Sequence, residues 1–464
     1  LPKGLKRTRK LRFTAFVTRS SFYRNILILA LPIILQQFLR VSVDTLDSIM
    51  LGQIDQIQMS AVSQAQQIFF VFYTVCNGFA VGCCVLISQY WGKRDLDSIR
   101  TLFAVGVRYI AVFAIAVAAV VMIWPDKVMR IYSSDPELIA LGVSYLRIAA
   151  LMYLPCAVSS MLFACCRGIE EMKVSFTTNA ISYPLNIVLD YCFIFGAFGF
   201  PELGIRGAAC GAVIARLVEL SVLCRFIFRR EKRLKLVPRD MLRKDKKLSR
   251  DFLRVGTPIV AHEMIWSTGT TAGSSITGQM STVIVTGYNV ANVLYQLMAC
   301  VMNGILHACS VTMGKTIGAG AGKDKIRQEA YTMVLIGCVG GTVLGVMTLL
   351  VGSAFVSIYT LTPDAAEYAR WFMVIFAMIW PFSGMEMTGM IATLRAGGDG
   401  KTGFITDIFT MWLITIPLAS LSAFVLGLSP YVVISIIKFN IVLEALVGIF
   451  RIRTMKWVRN LTSA

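Results

Sequence analysis

VCNGFAVGCCVLISQYWGKRDLDSIR, residues 75–100, returns in altered form as VMNGILHACSVTMGKTIGAGAGKDKIR, residues 301–327. Val75, Asn77, Gly78 and Cys83 fall on Val301, Asn303, Gly304 and Cys309 at one constant offset, close to half of the 464 residues. With shifts of a residue or two, the offset relates LPIIL at Leu31 to TPIVA at Thr257, IYSSDP at Ile131 to IYTLTP at Ile358, Pro155 to Pro381, and Arg167 to Arg395. The chain is two copies of one unit. In an apolar protein, duplicated halves mark transporters in which the site lies between the repeats and one repeat rocks against the other.

The chain is apolar. Hydrophobic residues make up 56% and charged residues 15%, against about a quarter charged in a typical soluble domain, and the mean hydropathy is +0.69. Runs of the length needed to cross about 30 Å of hydrocarbon lie near 26–50, 64–90, 101–124, 138–163, 174–198 and 205–228, and again near 253–276, 288–313, 331–356, 368–393, 403–427 and 430–452. The expected fold is an all-α integral membrane protein of about twelve transmembrane helices in two pseudo-symmetric six-helix bundles. A β-barrel is excluded, because AVFAIAVAAVVMIW is apolar on every face and barrel strands alternate.

The formal net charge of +19 raises the question of nucleic acid, but its placement is periodic. Lys and Arg crowd the first 24 residues, the connections 93–100, 167–173, 225–254, 315–327 and 395–401, and the tail 451–459. The connections GQIDQIQMS, TGQMST and LGLSP hold none. This is the positive-inside pattern, so both termini and the basic loops are expected in the cytoplasm, with the protein multi-pass in the cell membrane. The segments read as a basic tail (1–24), an N-lobe (25–228), a basic linker (229–251), a C-lobe (252–452) and a short cytoplasmic tail (453–464). The linker's charges suit anionic lipid head groups and not a nucleic acid or a substrate. The twelve cysteines sit mostly in apolar runs without metal-binding spacing and read as packing residues. The adjacent pairs Cys83–Cys84 and Cys165–Cys166 have a geometry that rarely makes structural disulfides. No cleavable signal peptide is evident, and the first helix serves as the insertion signal.

Each carboxylate inside a bilayer is a functional candidate, because placing it there costs several kcal/mol. On the first helix, Gln36, Arg40 and Asp47 fall within roughly 40° of one another, with Asp44 beside them. Arg40 and Asp44, at i and i+4, are spaced to neutralise each other; Asp47 has no such local partner. On the fifth helix, Asn186 and Asp190 share a face and Asn179 lies one heptad earlier. A carboxylate among amides in a partly dry cavity suits proton exchange, and the same oxygens in another geometry suit sodium. At the repeat offset Asp47 falls near Gly273 and Asp190 near Leu418, so the halves have diverged. The second half has His262, Glu263, Glu386, Asp407, Lys438 and Glu444. Glu263 and Glu386 are candidate contacts for a cation or cationic cargo, His262 is a packing residue or proton carrier, and Lys438 and Glu444 pair with other helices. Pro32, Pro155, Pro184, Pro258, Pro381 and Pro417 bend their helices, as packing kinks or as hinges.

With these residues in view, the chain resembles the multidrug and toxic compound extrusion (MATE) family over nearly its whole length. The likeness rests on DSIMLG in the first helix, SQYWGKRD after the second, LRAGGD at 394–399 with a weaker counterpart CRGIE at 166–170, LDYCFIFG, GIRGAACGA, and HEMIWSTG in the seventh helix. The resemblance implies two bundles around a V-shaped cavity and export of bulky, often cationic compounds driven by inward flow of H+ or Na+. It also implies a cation site at Asp47, Asn186 and Asp190. Arg40 and Asp44 depart from the family pattern as extra charges, and the helix 10 aspartate of one family branch falls on Gly384, so that either Glu386 substitutes for it or the site is absent. No cofactor and no resident metal are expected, only the coupling ion. Small amphiphilic cations, membrane lipids and a monomeric state are the expected partnerships. A lipid-linked precursor flippase would bring a strongly cationic cavity and additional helices. A channel lacks a recurring filter-like loop, and no nucleotide-binding or hydrolase motif supports an enzyme.

Overall fold

The structure, a computed structural model, describes residues 16–52, 56–231 and 233–462, with the side chains of residues 44, 48, 49, 51, 52 and 56 also left undescribed. Twelve long helices run through them: α1 (Ser20–Gly52), α2 (Gln56–Lys93), α3 (Leu96–Ile123), α4 (Pro136–Gly168), α5 (Met172–Phe195) and α6 (Ile205–Arg229). After a connection they resume as α7 (Lys246–Gly278), α8 (Thr282–Gly318), α9 (Lys323–Val356), α10 (Pro363–Leu394), α11 (Gly400–Val425) and α12 (Pro430–Thr454). Ten of these are long and apolar enough to cross a membrane. The exceptions, α5 and α7, carry the buried polar residues Asn179, Asn186, Asp190 and His262.

Helix starts follow local chemistry. Asp95, Asp135, Asp245 and Thr362 each accept a backbone N–H of the first turn of α3, α4, α7 and α10, which satisfies donors the helix cannot. The Asp245 cap starts α7 seven residues before the apolar run expected at 253. Outward faces keep apolar side chains such as Leu350, Val425 and Phe450 exposed, as lipid-facing surfaces do.

The repeat is legible in the packing. Within each half the helices pack on one another, and the halves meet where α1 crosses α8 and α2 crosses α7 and α8. The backbone at Gly78 sits on Val260, and that at Gly304 sits on Ala30 and Ile34, so closely that a Cβ at either glycine would collide. The offset that takes Gly78 to Gly304 also takes Ile34 to Val260, so the two crossings are copies. In membranes, small residues let helix backbones approach closely where packing must hold them together. Accordingly, Ile26 and Ala30 of α1 belong to a core built from the second half, and Leu248, Phe252, Val255 and Ile259 of α7 belong to the core of the first.

At the basic end α2 and α8 cross each other. Gly92 lies on the backbone of Lys315 and Ala319, and Gly318 on that of Gln89. Around this crossing Gln89 Nε2 donates to the carbonyls of Ala396 (2.7 Å) and Arg459 (3.3 Å), its Oε1 accepts from Leu461 N (2.8 Å), and Lys93 Nζ donates to Thr462 O (2.7 Å). Lys315 Nζ meets Glu170 at 2.7 Å, and Trp91 Nε1 donates to the same carboxylate. The halves are therefore closed at this end. The connection before α7 is docked as well: Leu234 and Leu236 are buried, Arg100 Nε donates to Leu234 O, and Arg108 donates to Arg243 O. All twelve cysteines are free.

Candidate functional site

Among the polar groups buried in the helical body, two clusters gather intramembrane carboxylates read from sequence, one in each half. In the first, Asp47 of α1 is half-buried and its carboxyl lies within hydrogen-bonding reach of Asp190 of α5. Asp190 is 4% exposed, and its Oδ2 accepts from Asn186 Nδ2 at 2.7 Å. The i to i+4 spacing puts both on the face of α5 that meets α1 and α6. On α6 the backbone comes so close at Gly211 that a Cβ there would fall on Asp190 Oδ1. Tyr145 of α4 is buried near both carboxylates.

Asp47, Asn186 and Asp190 are thus brought together, and Asn179 is not. It is buried on the same stripe of α5, with Ser175 and Ser182, but eleven residues before Asp190, about 16 Å along the axis. Gln36 is half-buried, and Arg40 stacks over the Tyr73 ring at 5.4 Å. The Asp44 side chain lies outside the described residues. Tyr145 and Gly211 were not read from sequence. The one available signal was the pair Gly207 and Gly211 in GIRGAACGA, where the backbone of α6 approaches Phe193 and Asp190.

The second centre lines a cavity of ≈ 540 Å³ among α2, α7, α8, α10, α11 and α12. Arg395 Nη1 pairs with Glu263 Oε1 at 2.8 Å, and Arg395 Nη2 meets His262 Nδ1. Because a guanidinium only donates, His262 accepts at Nδ1; its Nε2 lies 3.4 Å from Asp407 Oδ2 without forming a hydrogen bond to it. Glu444 accepts from Asn440 and Thr410, both at 3.1 Å. Lys438 lies over the rings of Tyr295 (4.8 Å) and Phe376 (4.9 Å). Glu386 is 8% exposed and lines the cavity.

Gly384 has no room for a carboxylate, since a Cβ there would strike the carbonyl of Gly337 on α9; Glu386 is the acid that α10 presents. Past Pro381 the α10 backbone widens to π-helical turns over Met387–Leu394, and α11 does so over Ile408–Thr415. Such widening is frequent at functional sites, and here it flanks Arg395, Asp407 and the cavity.

A family profile described as MatE matches residues 32–192 and 258–421, one stretch in each half. The chain belongs to the MatE family. It is 26% identical over 414 residues to the Probable multidrug resistance protein NorM of Rhizobium meliloti, covering 87% of each chain. It is 25% identical over 400 residues to the protein of the same name from Thermotoga maritima, covering 85% of this chain and 84% of that one. Its fold matches a solved structure described as the outward-facing conformation of a multidrug resistance MATE family transporter of the MOP superfamily, at a TM-score of 0.84, 17% identity, and coverage of 93% and 96%. MatE proteins are multi-pass membrane transporters and not enzymes.

Proposed function

We propose that this MatE protein is a secondary active efflux antiporter, which exports small amphiphilic, often cationic compounds by alternating access, coupled to inward flow of H+ or Na+ through Asp47, Asn186 and Asp190. The observation that carries this is the meeting of two carboxylates from different helices in a buried site of the first half. Two like charges so placed repel strongly, and a proton or metal cation held between them resolves the repulsion. Because Asp47 and Asp190 ride on separate helices, the presence of that ion sets how α1 and α5 pack. As placed, Asn186 donates to Asp190, which fits a shared proton; a sodium ion would need the amide to turn its oxygen inward.

The name multidrug resistance protein carried by the relatives supports drug-like cargo, and the ≈ 540 Å³ cavity is of the size that takes such a molecule. Among the described residues its charged lining has Glu263, Glu386 and Glu444 against Arg395 and Lys438. That balance favours drug export over a flippase with a strongly cationic cavity. The basic end, where the halves are closed, is the cytoplasmic end by charge placement, with both termini there, in the cell membrane. The protein acts as a monomer.

Ethidium efflux from membrane vesicles, with a pH gradient and a sodium gradient imposed separately, tests this reading. Asp47→Asn and Asp190→Asn should each abolish gradient-driven efflux while the protein still inserts, because an amide keeps the shape but cannot release a proton or offer a full charge. An ion shifts alternating access only by its differential affinity for the two states. Wild-type rates in both variants under either gradient would overturn the assignment and point to Glu263 and Glu386.

A further inference from the structure

The cavity has two unlike poles. At one, Arg395 is neutralised by Glu263, and Glu386 and Glu444 gather nearby. At the other stands Lys438, which among the described residues forms no ion pair and rests over the Tyr295 and Phe376 rings. Lys438 and Glu444 line the same cavity from α12, six residues apart and therefore about 9 Å along the axis. An ammonium at membrane depth is ordinarily paired with an acid or kept in water, and ring faces only partly replace an acid. The nearby Tyr295 hydroxyl is engaged with Ser383 at 3.4 Å.

We propose that Lys438 determines specificity by receiving an acidic group of the cargo, a carboxylate, sulfonate or phosphate, while Glu386 and Glu444 receive its basic end. The cargo class is then amphiphiles bearing both charges, with an apolar body that packs on Tyr295 and Phe376. This rests on the reading of the cavity as the cargo site. A purely cationic ligand would place its charge near Lys438 or leave that pole unfilled, whereas a doubly charged one matches both. The mismatch penalty is what selects, since buried polar groups left unpaired are the main source of discrimination between analogues.

The test is equilibrium binding of rhodamine B, which carries a free carboxylate, and of its ethyl ester, to the purified full chain in detergent by fluorescence anisotropy. Lys438→Gln should lower the acid-to-ester affinity ratio about tenfold by weakening the acid alone, as loss of one partner of a desolvated charge pair does, and Lys438→Arg should restore it. An unchanged ratio in Lys438→Gln, equal weakening of both dyes, or no binding of the acid by the unmodified protein would overturn the proposal. Gradient-driven dye efflux from vesicles is measured in parallel. Absence of export with the binding ratio intact would sink the antiporter reading and leave the role of Lys438 standing.

Discussion

Asp190 owes its position to a residue with no side chain. A methyl group at 211 would occupy the place of its Oδ1, so Gly211→Ala should push the carboxylate away from Asp47 and lose coupled efflux in the vesicle assay. Overpacking of this kind costs about 1–3 kcal/mol, so the purified variant should still melt cooperatively a few degrees lower. Export at the wild-type rate would mean that coupling does not depend on where Asp190 sits. Gly384 gives the complementary case. Gly384→Asp, which installs the aspartate of one family branch, should add no ion site and instead wedge α9 from α10, because the new side chain meets the Gly337 carbonyl. A sharp loss of folded protein in size-exclusion chromatography is the expected outcome, and a well-folded variant would refute the packing argument.

At the scale of elements, the connection before α7 behaves as a docked segment and not as a loose basic tether. Its short helix Pro238–Leu242 is held by Asp240, whose carboxylate accepts from Val237 N at 3.0 Å and Arg243 Nε at 2.9 Å. The Val237 N–H first, and the Arg243 guanidinium with it, hold the Asp240 carboxyl below its ordinary value of 3.8. A carboxyl lowered by folding stabilises the docked state above its unfolded pKa, and that contribution is lost as pH falls through the lowered one. Hydrogen exchange of residues 234–243, corrected for the intrinsic pH effect, should therefore show protection that is constant from neutral pH to just above 3.8 and falls below it. Asp240→Asn should show the weakened protection at neutral pH. Protection that rises on acidification would reverse the sign of this argument.

Across the whole molecule, closure at the basic end depends on a short stretch in which five of eight residues have a task. In SQYWGKRD, Gln89 clasps the backbone of 396, 459 and 461, Trp91 holds Glu170, Gly92 admits α8, Lys93 reaches Thr462, and Asp95 caps α3. Gln89→Ala should loosen the seal without touching either polar centre. Hydrogen exchange in 86–93 and 311–318 should accelerate by about fivefold or more, as expected when a local opening equilibrium is eased, and 102–114 should not change. Uniform acceleration over all three segments would show that the clasp supports the fold generally and not the closed end.

The sequence by itself determined the membrane setting, the helix count and the duplication, because hydropathy and a constant repeat offset are properties of the chain read in order. It also put Asp190 and Asn186 on one face, since i and i+4 neighbours meet on any helix. Only the tertiary structure decided that Asp47 meets Asp190, that Arg395 meets both His262 and Glu263, and that Lys438 stands over two rings. Those outcomes depend on how helices far apart in sequence are rotated and how closely they approach. That approach is set by glycines such as Gly78, Gly211 and Gly304, whose spacing shows in the sequence but not which neighbouring helix each one admits.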